Sequence, residues 1–184
     1  GPGSFDLTKS GPGSLTVTGA MTIGGAVTLS GGALSAGAGS VLGQVSAASG
    51  TTLSLTSSDL ASLSSTSATV TLAGDNEVAG VVAIAGGTFT ASGSNNFGGA
   101  VQVNSGTVVL GGNNSFTSLA LASGVLTLAG ANSFTGGVAM SGGTLNLNND
   151  GALGAGTLTI SAGTLNNTSG AARTLAGVGA GALN

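Results

Sequence analysis

Apolar and polar residues alternate through most of this chain, and the alternating runs return at a fixed interval. Gly106-Thr107-Val108-Val109-Leu110, Gly124-Val125-Leu126-Thr127-Leu128 and Gly143-Thr144-Leu145-Asn146-Leu147 each place two large aliphatic residues on one face. A period of two predicts half-buried β-strands. A second alternating run lies about ten residues from the first in each unit: Val101 and Val103, Leu119 and Leu121, Val138 and Met140, Leu158 and Ile160. Between the runs a short Gly/Asn/Ser stretch ends in a single apolar marker, as in Gly112-Asn113-Asn114-Ser115-Phe116. Each unit therefore predicts two strands and one apolar corner.

The markers are Ile23, Val41, Leu60, Val78, Phe97, Phe116, Phe134 and Leu153, separated by 18, 19, 18, 19, 19, 18 and 19 residues. A small residue sits ten positions before each: Gly13, Gly31, Gly50, Ala68, Gly87, Gly106, Gly124 and Gly143, with Gly163 opening a last, incomplete unit. A unit of this length cannot bury its apolar face alone, whereas stacked units share one interior and pair each strand with its equivalents above and below. The expected fold class is all-β: a single-stranded parallel β-helix (β-solenoid) of about nine coils of 18–19 residues, starting near 13, 31, 50, 68, 87, 106, 124, 143 and 163. At about 4.8 Å per coil it would form a rod roughly 40 Å long. Residues 32–67 are rich in Ala, Ser and Gly, and their pattern slips by one around Leu53 and Leu55. Looser coils are expected there, with a bulge or longer corner absorbing the slip.

Asn76, Asn95, Asn114 and Asn132 stand two residues before four consecutive markers. Asparagine tolerates the left-handed backbone of a tight corner, and its amide can bond its stacked equivalent. The expected structural ladder is these four asparagines with Val78, Phe97, Phe116, Phe134 and Leu153.

Composition narrows the interior and the chemistry. Of 184 residues 41% are hydrophobic, yet 3% are aromatic, 4% are charged and 37 are glycine, which suits a slim core of Val, Leu, Ile and Ala. Lys9 and Arg173 are the only cations in a chain of formal charge -3, so nucleic acid is not an expected partner. No run of about 18 apolar residues occurs, so no membrane span is expected in this fragment. Gly1-Pro2-Gly3-Ser4 reads as a scar of tag removal, which leaves residues 5–184 as one solenoid, expected to be a piece of something longer.

Histidine and cysteine are absent, which excludes Ser/His and Cys/His catalysis and most transition-metal sites. Asp75 and Glu77 at i and i+2 could mimic an acid/base pair or half a calcium site, but no cation or third acid accompanies them. No catalytic residue, metal site or cofactor is therefore expected. Glycine pairs such as Gly98-Gly99 and Gly136-Gly137 lack a following Lys or helix and read as corners rather than phosphate cradles. Outward threonines, among them Thr16, Thr18, Thr69, Thr71, Thr88, Thr90, Thr107, Thr127, Thr144 and Thr164, suggest an alternative function as an ice-binding face, interrupted by Val109, Val125 and Asn146.

Residues 124–137, the continuation Ser141 to Asn148, residues 151–160 and the opening run Leu7 to Val17 resemble the autotransporter-associated β-strand repeat. The resemblance is good over residues 5–30 and 85–166, although that family often carries Tyr where this chain has Phe97, Phe116 and Phe134. It implies a right-handed β-helix in the extracellular passenger of a bacterial surface or secreted protein, with a translocator barrel elsewhere in the parent. The expected role is a non-catalytic stalk or spacer that aids display and secretion. The alternative is an adhesion or self-association module, through the solenoid ends or a host or cell-surface ligand.

Overall fold

The computed structural model describes residues 4–175. Its ordered elements are all strands, with no helix among the described residues, and the strands join one continuous sheet in which every pairing is parallel. The chain winds through about eight turns of a β-solenoid. Of the unit expected from Gly163, the short strand Thr164–Asn166 pairs with Thr144–Leu147. The remainder runs into residues 176–184, outside the described part.

Each coil has three sides rather than the expected two. The first is typified by Val125–Leu128 and the third by Val138–Met140. The marker corner itself pairs as a two-residue strand, as in Ser133–Phe134 and Glu77–Val78. Three short sides let one side chain per corner and two per longer side reach the axis, so aliphatic residues fill the interior without a second layer.

The register makes columns. Leu34, Leu53, Val70, Phe89, Val108, Leu126 and Leu145 follow one another up the first side, all buried. Beside them run Ala36, Leu55, Leu72, Ala91, Leu110, Leu128 and Leu147. The coil holding the bulky Phe89 carries the small Ala91 next to it, whereas Val70 and Val108 are accompanied by Leu72 and Leu110. Paired volumes keep the cross-section even.

Residues 32–67 form regular coils, contrary to expectation: Leu34, Leu53 and Val70 share one column, and Leu53 and Leu55 are both buried. The slip is absorbed at a corner. Ala47 and Leu53 stand one residue further apart than Ser65 and Val70 in the next coil. Buried Thr51 braces the longer corner by donating its Oγ1 hydroxyl to the Ala48 carbonyl at 2.6 Å.

A related correction concerns Val41. Ile23 pairs with Leu42, which is buried and continues to Leu60, while Val41 faces out at 47% exposure. In the small-residue column Gly32 and Thr51, not Gly31 and Gly50, precede the strands beginning at Ala33 and Thr52. Farther along, Gly87, Gly106, Gly124 and Gly143 all have φ between +73° and +93°, where a side chain would be strained. A Cβ on Gly106 would also lie 2.7 Å from the Gly87 carbonyl oxygen of the coil below.

The two cations sit toward the two ends. Lys9 pairs with Leu29, placing it in an inward column, and its Nζ donates to the carbonyls of Ser10, Gly11 and Gly31 at 3.1, 2.9 and 3.0 Å. A charge on the inward side of a terminal strand discourages edge pairing. Arg173 lies 3.8 Å from the Asp150 carboxylate.

Farther up the column that holds Lys9, a second polar residue faces inward. Ser65 lies in the column between Ala47 and Ile84, and its buried hydroxyl has no hydrogen-bond partner. Ser65→Ala is expected to stabilise the fold by about 1 kcal/mol, because an unpaired buried hydroxyl carries a desolvation cost of that order. Thermal unfolding should register a rise of about 2–4 °C.

Candidate functional site

The corner between the first side and the short strand carries a ladder of buried side-chain hydrogen bonds that runs from coil to coil. Here the chain must turn between two strands that both point side chains at the axis, and a buried turn leaves backbone donors without strand partners. Gly74 and Gly93 adopt φ of +68° and +85°. Two residues later the asparagine enters, and its amide closes the turn by donating to the carbonyl two positions back: Asn76 to Gly74 at 3.0 Å, Asn114 to Gly112 at 2.6 Å and Asn132 to Gly130 at 3.1 Å.

The same amides link successive coils. Asn76 Nδ2 donates to Asn95 Oδ1 at 2.9 Å, Asn95 Nδ2 to Asn114 Oδ1 at 2.9 Å and Asn114 Nδ2 to Asn132 Oδ1 at 3.1 Å. Each carboxamide oxygen also accepts the backbone N–H of the preceding member, at 3.1, 3.2 and 3.0 Å. All four side chains are buried. The ladder starts at the Ser58 N–H, which donates to Asn76 Oδ1 at 2.9 Å, and ends where Asn132 Nδ2 donates to the Ala152 carbonyl at 2.9 Å.

Two members escaped the sequence reading. Ser58 and Ser40 stand two residues before Leu60 and Leu42, and both are fully buried. Ser40 Oγ donates to the Gly37 carbonyl at 2.7 Å and accepts the Met21 N–H at 3.0 Å, while Ser58 Oγ donates to Thr56 at 3.0 Å. Their signal is the offset of two from the marker, hidden at Ser40 because Val41 and Leu42 are both apolar and only Leu42 is in register with Ile23 and Leu60.

Two residues beyond each asparagine lies the aromatic column. Val78 pairs with Phe97, Phe97 with Phe116 and Phe116 with Phe134. The rings stack with centroids 5.1 and 4.7 Å apart and planes 10° and 11° from parallel. The coil spacing of a parallel sheet is itself about 4.8 Å, so backbone pairing sets the rings at a favourable separation. Leu153 is buried in the same core but belongs to a turn over 150–155 rather than to a paired strand.

Asp59, Asp75 and Glu77 are exposed on the surface of this corner. Asp75 Oδ1 accepts the Ser94 N–H of the next coil at 2.7 Å, so that carboxylate braces the turn. Glu77 is in register with Asp59 below and Asn96 above. Among the described residues no three His, Cys, Asp or Glu side chains gather in a metal-holding group. From Asn76 to Asn132 this corner links successive coils with hydrogen bonds inside and, from Phe97 to Phe134, stacked rings alongside.

Period, parallel stacking and the Asn/Phe corner together specify a repeat type that can be compared with known families. The model of the passenger-associated-transport-repeat matches residues 7–36, 67–91, 86–110 and 123–147, together more than half of the chain. The chain belongs to that family. No curated protein and no solved structure matches it. The four passenger-associated repeats straddle coil boundaries and extend over 67–84, between the two stretches, 5–30 and 85–166, where the resemblance is good. As a passenger-associated repeat of the autotransporter type, the protein is built from units whose shared feature is the stacked coil.

Proposed function

We propose that this passenger-associated repeat is a rigid, non-catalytic stalk in the extracellular passenger of a bacterial surface or secreted protein. It holds a distal domain away from the cell and helps the passenger reach its folded state outside. The observation that supports this most is the internal lock: Asn76 to Asn132 and Phe97 to Phe134 tie consecutive coils by contacts that recur at every step. Nearest-neighbour coupling of this kind stiffens a rod and lets each coil template the next. A translocator barrel elsewhere in the parent is the partner this reading requires.

Excision of one whole coil, residues 88–106, tests the reading in the exported parent. Because Thr88 and Thr107 are in register, the cut should rejoin equivalent positions and shorten the rod by about 4.8 Å. Surface display and distal-domain activity should persist. If the shortened protein is displayed and folded but loses binding to a surface or to other cells, the chain is an adhesive module instead.

A further inference from the structure

The outer surface of the first side carries two parallel ranks of small uncharged side chains. Thr52, Thr69, Thr88 and Thr107 follow one another in register over four consecutive coils and are exposed, and the rank continues through Val125, Thr144 and Thr164. Two residues along each strand the second rank reads Ser54, Thr71, Thr90, Val109 and Thr127. Val109 and Val125 have the shape of threonine, so the methyls run without a gap from Thr69 and Thr71 to Thr127, bounded by Ser54, which lacks a methyl, and by Asn146, which follows Thr127 in register. Thr18 lies outside the strand Ser14–Val17 and takes no part.

The array has three physical properties that narrow its ligand. It is periodic in two directions, about 4.8 Å from coil to coil and about 6.6 Å from rank to rank. It is stiff, because β-branched side chains have few rotamers and the strand is backed by Val70, Phe89 and Val108, each completely buried. It carries no charge, since none of the chain's seven charged residues occupies either rank. It also offers no aromatic ring, the usual stacking platform for a sugar or a base. A flat, preorganised, neutral lattice of hydroxyls and methyls matches a partner that is itself a neutral lattice with repeats of that size.

We propose that this face binds crystalline ice, the threonine ranks ordering water into the spacing of the crystal surface. The proposal goes beyond the stalk reading, because a spacer needs no ligand, and the two fail separately. The test measures thermal hysteresis and inhibition of ice recrystallisation by the purified chain. Two variants accompany it: Thr88→Tyr with Thr107→Tyr, which breaks the flat face, and Gln102→Tyr, exposed on another side. Circular dichroism establishes that each is folded, and Thr88→Lys with Thr107→Lys replaces the tyrosine pair if it is not. The unaltered chain and Gln102→Tyr should both show hysteresis and arrested grain growth, and the double variant should lose both. The proposal is overturned if the folded chain shows neither activity, if the folded double variant keeps them, or if Gln102→Tyr removes them equally.

Discussion

Phe116→Ala should destabilise the solenoid by about 3–5 kcal/mol, the range for truncating a buried phenylalanine. Phe116 is the middle ring of three, buried, with Phe97 on one side at 5.1 Å and Phe134 on the other at 4.7 Å. In a thick core, neighbours relax into part of the void. This core is one coil wide, and its backbone is fixed by pairing above and below, so little can move in. At about 2–4 °C per kcal/mol for a chain of this size, the shift in thermal midpoint should be large. Phe5→Ala, at an exposed position, is the control and should be near neutral. Equal effects from the two substitutions would show that the stacked rings contribute nothing beyond an ordinary surface residue. A second signature follows from the linear architecture: weakening one central coil uncouples the turns on either side, and denaturant unfolding should lose cooperativity.

The second large effect is expected at Asn95→Ala. Asn95 Oδ1 accepts both the backbone N–H and the side-chain amide of Asn76, at 3.1 and 2.9 Å. Its own Nδ2 reaches Asn114 Oδ1 as well as the carbonyls of Ser92 and Gly93. Alanine leaves the Asn76 N–H buried without an acceptor, whereas Asn76 Nδ2 retains the carbonyls of Ala73 and Gly74. Each buried group orphaned in this way costs about 1–3 kcal/mol. Asn95→Ser should be milder, because Ser40 and Ser58 occupy the same corner in earlier coils and pair with local carbonyls. Urea denaturation should rank the stabilities as wild type, then serine, then alanine. Alanine matching wild type would mean that the ladder carries no stability.

Legibility of this fold from sequence followed residue size and spacing. Phe97, Phe116 and Phe134 stand out because they are bulky and recur at 19 and 18 residues, and the asparagines inherit their register. Val41 and Leu42 are adjacent and both apolar, so pattern alone could not decide between them. The choice came from corner length, since only Leu42 meets Ile23 and Leu60 across the sheet. The slip at Leu53 is visible in the sequence, and the structure takes the longer corner of the two remedies it allows, a bulge or a longer corner. One extra corner residue, held by Thr51, restores the register without loosening the strands. The site was half legible. Ser40 and Ser58 lacked the recurring amide that marked the later coils, and the unpaired hydroxyl of Ser65 gave no sign in an Ala/Ser-rich stretch.

Residue order alone dictates that backbone turns of nearly equal length repeat and present alternating faces, and equal repeats can share an interior only by stacking. It therefore decided the solenoid, the slim aliphatic axis, and the identity of the asparagine and phenylalanine columns. Tertiary structure alone decided the third side at the marker corner, the inward choice of Leu42 over Val41, and the placing of Lys9 in an inward column. The physical reason is the range of the contacts. Alternation is settled between neighbours in the chain, but a residue's face at a corner and its hydrogen-bond partner depend on what the coil above, some 18 or 19 residues away, sets opposite it.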